Sequence, residues 1–483
     1  VLLIVLFSFI RYQIVLLIML FLSRSGTRWV IVAISFLTIL YIITNHSSNI
    51  SNFDANDLFN QVSDYRIQYN NKLIAESENT ETSFNHELLT WPQLLKALTF
   101  DKTLFKNIGE DISKENMDFF REVYSKRITE PKFSKLTYNE FKDNNGNVKV
   151  LSKDEYPRAN ATLLTLVRNQ ELQDIVYTLR QLEAHWNHKF HYPYTFINDE
   201  PFTQEFKDTI KRHTVSDCYF EVIPPDMWNK PANIDENIET EKINKLKEKG
   251  VQYIDKVSYH NMCRFNSGYF YKMERLQQFR YYWRFEPATD YYCNIDYDLF
   301  KFMEDNNKTY GFTISLYDNP LTVETLWPVT LEFLEKNPQY AHPNGAFRWL
   351  TENVQHPDYN QITGGYSTCH FWSNFEIGDM DFYRGEAYSA WMDALDEAGG
   401  FYYERWGDAP VHSVGLGLFE DRSKIHWFRD IGYHHSPYKN IPNSDKCSAP
   451  EDSGYFAPED VHDQNCLSNW IRLEMTNKEL QDY

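Results

Sequence analysis

Carboxylates gather in one short stretch of the chain, Tyr281 to Phe300, which reads YYWRFEPATDYYCNIDYDLF. Glu286-Pro287 breaks an aromatic, strand-like run, Asp290 follows, and Asp296 and Asp298 close the segment, so several acids are expected near one strand end. Hard oxygen donors of this kind suit Mg or Mn, with a nucleotide diphosphate supplying the remaining ligands. Acidic turn residues on a solvated strand edge are the plainer alternative. A second candidate is Glu376, set among aromatic residues in Gly364 to Asp381, GGYSTCHFWSNFEIGDMD. A carboxyl in such a setting suits acid or nucleophile work, and a structural glutamate bonded to backbone amides is the alternative. His434 and His435 stand side by side in Phe428 to Tyr438, FRDIGYHHSPY. Of two adjacent histidines at most one usually faces a metal. Ser258 to Phe270, SYHNMCRFNSGYF, adds Tyr259, His260 and Arg264.

Such residues need a rigid frame, and the hydrophobic pattern supplies one. Ala161 to Val167 (ATLLTLV) is an apolar run of strand length. After it, Leu172, Ile175, Val176, Leu179, Leu182 and Trp186 fall on one helical face. Tyr194 to Ile197 and Tyr219 to Ile223 read as further strands, and strand, helix, strand in this order opens a nucleotide-binding α/β sheet. No GxGxxG and no Walker-type loop is present. A long aromatic helix through Phe285 is expected to deliver the chain to the carboxylate segment. Tyr310 to Ser315 reads as a strand, and Thr322 to Asn337, Phe347 to Val354 and Arg384 to Ala398 as helices, the last stopped by Gly399-Gly400.

With 483 residues, 42% hydrophobic and 16% aromatic, the chain has material for a large core. Its formal net charge of -20 argues against a nucleic-acid partner, which requires a basic face. Six cysteines without a CxxC pair suggest neither a zinc site nor a thioredoxin-like motif. Cys447 and Cys466, close together in a polar region, form the expected local disulfide. For Cys263, Cys293 and Cys369, a buried thiol and a bridge are equally open.

Trp29 to Ile43 (WVIVAISFLTILYII) carries no charge and spans about 22 Å at ~1.5 Å per residue, short for a bilayer core of ~30 Å. Arg24 and Arg28 precede it and Asp54 and Asp57 follow, which predicts a signal anchor with the bulk of the chain in the lumen. A cleaved signal peptide, and the apolar run Val1 to Leu22 as a competing span, are the alternatives. The expected organisation is a cytosolic tail at 1–28, an anchor at 29–43, a stem at 44–87, a lead-in at 88–159 and a catalytic domain at 160–483. Acceptor sequons stand at Asn45, Asn49, Asn160 and Asn307.

Taken in order, Met262-Cys263-Arg264-Phe265, Arg284-Phe285-Glu286-Pro287, Ser373 to Ile377 and Gly432-Tyr433-His434-His435 form a recognisable series. With Leu166 to Glu171, Tyr310 to Leu316 and Glu404 to Phe419, they give a chain that resembles the fungal Golgi α-1,2-mannosyltransferase family from about Asn160 to Cys447. The resemblance implies a GT-A-like α/β fold with a mixed central sheet. It also implies retaining transfer of mannose from GDP-mannose, with Mn, to the 2-hydroxyl of an α-mannoside on a glycoprotein or glycolipid, in the Golgi lumen. By the same resemblance Glu286 and His435 are metal ligands, Arg168 and Arg284 hold the nucleotide, and Tyr259 lies at the donor sugar. Glu376 matches the position of a nucleophile or of a stabiliser of an oxocarbenium-like transition state. Ala288 departs from the family, whose members more often carry a polar or acidic residue there, so Asp290 or Asp296 would support the metal. Mannosylphosphate transfer is the nearest alternative. An inactive lumenal mannoside-binding protein and a glycoside hydrolase are the others.

Overall fold

Strand β1 (Ala161–Leu166) is buried along almost its whole length because it is apolar on both faces, the pattern of a strand inside a covered parallel sheet. Helix α1 (Gly109–Ser125) precedes it, and Phe120, Val123 and Tyr124 of that helix enter the core. Helix α2 (Leu172–Leu182) turns Ile175, Val176, Leu179 and Leu182 inward, as their spacing predicts, and Trp186 follows in one turn of π-helix. The computed structural model describes residues 88–99, 109–128, 158–353, 355–449 and 463–480, all within one unit, Asn85–Tyr483. The expected tail, anchor and stem lie outside these residues. Among the described residues no helix is long and apolar enough to cross a membrane.

Strands β2 (Tyr194–Asn198) and β3 (Cys218–Val222) continue the sheet on one side of β1. On the other side stand β4 (Tyr281–Arg284), β9 (Glu376–Asp379), β6 (Tyr310–Phe312) and β10 (Ile425–Trp427), giving the order β10-β6-β9-β4-β1-β2-β3. Strand β9 runs antiparallel to β4 and β6, whereas the pairs β1–β2, β1–β4, β2–β3 and β6–β10 are parallel, so the sheet is mixed. Strand order reverses direction between β1 and β4. In open α/β sheets a ligand crevice forms at such a switch point, outside the carboxyl ends of the strands.

Of the two readings of the aromatic run, strand-like and helical through Phe285, the strand forms and the helix does not. Helix α3 (Val257–Gly268) ends early, two short 3₁₀ turns follow at Phe270–Lys272 and Leu276–Gln278, and Tyr281–Arg284 is strand β4. A run of Tyr, Tyr and Trp packs better across two faces of a pleated sheet than along one helical stripe. Tyr282 joins the core on one face of the sheet with Leu164, Tyr310 and Phe312, and Trp283 joins the core on the other with Leu163 and Ile377. Burying each of these large side chains contributes about 1.5–3 kcal/mol. Helices α4 (Leu326–Lys336), α5 (Glu386–Ala398) and α6 (Asp408–Phe419) belong to the first of these cores. Gly399 stops α5 with φ of 72°, the left-handed conformation a glycine adopts without strain.

Five further strands form two smaller sheets. Residues Asp290–Tyr291 (β5), Tyr433–His435 (β11) and Tyr438–Asn440 (β12) form one sheet, while β7 (Ser315–Tyr317) pairs with β8 (Cys369–Phe371). The cysteine pairing differs from the expected Cys447–Cys466 bridge: the disulfides are Cys293–Cys447 and Cys369–Cys466. Backbone pairing decides this. Asn294 N–H donates to the Lys446 carbonyl and Cys466 N–H to the Ser315 carbonyl, so each partner is brought in from far along the chain. Cys263 is a buried free thiol, pushed up to about 12 by burial.

Candidate active site

At the switch point β1 runs out into Arg168, and β4 ends in Arg284-Phe285-Glu286. Antiparallel β9 begins at the same edge, which sets Glu376 in register with both Arg284 and Phe312. Helix α6 lies over this corner. Its Asp408 and His412 are four residues apart and therefore share a face. Asp408 occupies the first turn, where the helix dipole favours an acid.

Arg284 is the hub, only 8% exposed. Its Nε donates to Glu286 Oε1 at 2.8 Å, its Nη2 lies 2.7 Å from the same oxygen as an ion pair, and its Nη1 donates to Asp408 Oδ2. Ser373 Oγ donates to the same Asp408 oxygen at 2.9 Å. Burial pushes the Asp408 carboxyl upward, but Arg284, with His412 and the Ser373 hydroxyl, outweighs it and holds the group below the usual range. Glu286 goes the other way: burial raises it, against the pull of Arg284 and of the nearby His435. One guanidinium between two carboxylates leaves a net negative charge, a setting for a cation.

His435 projects from β11 with its ring edge-on to Trp372, centroids 5.1 Å apart. The neighbouring His434 is committed elsewhere, its Nδ1 lying 2.8 Å from Asp290 Oδ2 across the paired strands β11 and β5. Alternation along the strand thus separates the two histidines, and His435 is the one whose charge is felt at Glu286. Both Arg284 contacts fall on Glu286 Oε1, so Oε2 is the oxygen with capacity for a metal.

The expected cluster of acids is dispersed. Asp290 accepts from Tyr177 and serves His434, Asp296 pairs with Lys189 and Lys446 at 3.1 and 3.0 Å, and Asp298 caps a helix through Phe300 N–H and Lys301 N–H. Among the described residues no three His, Cys, Asp or Glu side chains converge on a metal-sized site. A cation held by Glu286 and His435 would have to take its other ligands from a bound molecule and water.

Glu376 is 1% exposed and fully engaged. Tyr282 OH donates to its Oε1 at 2.9 Å and Tyr310 OH to its Oε2 at 2.8 Å, while His412 Nδ1 lies 3.0 Å from Oε2. Gly378 makes room for the Tyr282 ring: a Cβ there would stand 2.6 Å from ring atom Cε1. Tyr259, on α3, accepts from Arg405 Nη1 at 3.0 Å and stacks on Tyr253 with centroids 5.2 Å apart. Coupling to the neighbouring Cys263 thiol, together with burial, raises its hydroxyl. Arg168 is the outlying member, 66% exposed along its side chain and bonded to Glu171 through Nε and Nη2 at 3.2 and 2.8 Å. Asp408 and His412 escaped sequence reasoning as site residues. Their spacing of four on an otherwise largely apolar helix was the available signal.

The family model described as glycolipid 2-alpha-mannosyltransferase matches residues 110–475. The chain belongs to this family. It is thus a member of a mannosyltransferase family with a mixed α/β glycosyltransferase fold. The probable mannosyltransferase KTR4 of Saccharomyces cerevisiae is 42% identical over 465 residues, 94% of this chain and 97% of the relative. The X-ray structure of Ktr4p from S. cerevisiae in complex with GDP is 44% identical, with a TM-score of 0.74 over 81% of this chain and 99% of that one. The Mn/GDP form of core-mannan synthase A (CmsA/Ktr4) from Aspergillus fumigatus is 52% identical, with a TM-score of 0.65 over 66% and 87% of the two chains.

Proposed function

We propose that the protein transfers mannose from GDP-mannose to the 2-hydroxyl of an α-mannoside with retention of configuration, using Mn, on a GT-A-like frame. The carrying observation is the Arg284, Glu286 and Asp408 cluster at the switch point, within electrostatic reach of His435. The 52% identity to a protein whose structure is a Mn/GDP form supports the same reading. Carboxylate oxygen and imidazole nitrogen suit Mn, and Glu286 with His435 would hold it. When bound, the metal supplies positive charge against the leaving diphosphate.

Arg284 holds Glu286 in place and adds its own charge at the diphosphate end of the site. Arg168, at the adjoining strand end, exchanges Glu171 for a phosphate oxygen, a partner its planar fork fits equally well. Tyr259 borders the donor sugar. Glu376 lends its negative charge to the oxocarbenium-like transition state. Trp29 to Ile43 anchors the chain in the Golgi membrane with the catalytic unit in the lumen, and the acceptor is a glycoprotein or glycolipid mannoside. GDP release by the full chain in detergent tests the metal assignment. Wild type requires Mn, and Glu286→Ala and His435→Ala lose that requirement together with most activity. Unchanged Mn dependence in Glu286→Ala would remove Glu286 from the site.

A further inference from the structure

His412 has no exposed surface, and both ring nitrogens meet acceptors. Nδ1 lies 3.0 Å from Glu376 Oε2, and Nε2 lies 2.9 Å from the main-chain oxygen of Asn266. A neutral imidazole carries a single N–H. It would satisfy one of these oxygens and set a nitrogen lone pair against the other. Asn266 stands in the last turn of α3, where carbonyls lack a helical donor and the helix end carries partial negative charge. A carboxylate on one side and a helix C-terminus on the other both call for a cation.

We propose that His412 is an imidazolium that serves as the positioning residue of Glu376, pinning its Oε2 beside the reacting sugar; this rests on the assignment of Glu376 above. The neighbours agree. Glu376 comes from β9, Tyr282 and Arg284 from β4, Tyr310 from β6, Tyr383 and Tyr388 from the helices facing the ring, and Asp408 from the same helix as His412. Arg284 opposes the cation, but its guanidinium is already set between Asp408 and Glu286. Burial disfavours the charged ring, and the Glu376 and Asp408 carboxylates outweigh it, so the imidazole titrates above its ordinary value. The ring of Tyr383, 4.8 Å away, adds a π-face.

The test uses the full chain in detergent, labelled with ¹⁵N-histidine, as wild type, His412→Gln and Glu376→Gln. The resonance pair missing from His412→Gln should show both nitrogens protonated at pH 7.5, above the usual histidine value of ~6.5. His412→Gln should lose on the order of 100-fold in kcat with KM for GDP-mannose nearly unchanged, matching Glu376→Gln. A neutral ring at pH 6, or full kcat in His412→Gln while Glu376→Gln is inactive, would overturn the proposal. Full kcat in Glu376→Gln would instead remove the assignment on which it rests. Should His412→Gln fail to fold, the wild-type resonance displaced in Glu376→Gln reports the same charge.

Discussion

Arg284 carries two carboxylates at once, and this arrangement makes single substitutions around it uneven in their effects. Asp408→Ala leaves a buried guanidinium short of a partner and should cost about 3–5 kcal/mol in denaturant unfolding. The folded Asp408 carboxyl titrates below its unfolded value of ~3.9, so its contribution to stability is complete above that pH and is lost as the pH falls through the lower folded value. In Asp408→Asn the acid limb of the stability profile should be flatter than in wild type; an unchanged limb would count against the pairing. Glu376 has donors on both oxygens, which suits a fixed charge better than a nucleophile. Mass spectrometry of enzyme incubated with a slowly reacting mannosyl donor should find no adduct on Glu376, and an adduct there would show double displacement. Residues that the fold brings together were legible where motifs are dense, as Arg284 and Glu286 show. Asp290, Asp296 and Asp298 misled because a carboxylate looks the same in sequence whether it caps a helix, pairs a lysine or binds a metal.

Strand β4 and its neighbour β9 hold the site together, and their contact depends on Gly378. Gly378→Ala should push Tyr282 off Glu376, destabilise the protein by about 1–3 kcal/mol and lower kcat more than KM. A fully active Gly378→Ala protein would mean that the Tyr282 hydrogen bond is dispensable. The opening strand and helix were plain in sequence because β1 is continuously apolar and α2 keeps a helical stripe. The stretch leading to Arg284 was not. Tyr281 to Trp283 is aromatic throughout, so periodicity cannot separate a helix from a strand buried on both faces. Disulfide pairing failed for a related reason. Cys447 and Cys466 are near in sequence, but sheet pairing takes them to Cys293 and Cys369, closing loops of 154 and 97 residues. Removing the Cys369–Cys466 bridge by a double Ser substitution should lower stability by about 2–5 kcal/mol; an unchanged unfolding midpoint would contradict the pairing.

For the whole molecule, the order of β1, β4 and β9 gathers Arg284, Glu286 and Glu376 of an acidic chain of net charge -20 at one corner, where we place the metal and the anionic nucleotide. Ligand that binds only the folded state stabilises it, by about 2.7 kcal/mol at a hundredfold excess over Kd. GDP with Mn should therefore raise the melting temperature of wild type, and of Glu286→Ala much less. The family was legible because its motifs recur in order over most of the chain, whereas the sheet that joins them required long-range pairing that no local pattern encodes. The decisive measurement is product analysis after incubating the full chain in detergent with GDP-mannose, Mn and an α-mannoside acceptor. The account predicts GDP release together with a disaccharide cleaved by α-1,2-mannosidase. A phosphate-containing product, or no transfer despite GDP binding, would contradict it.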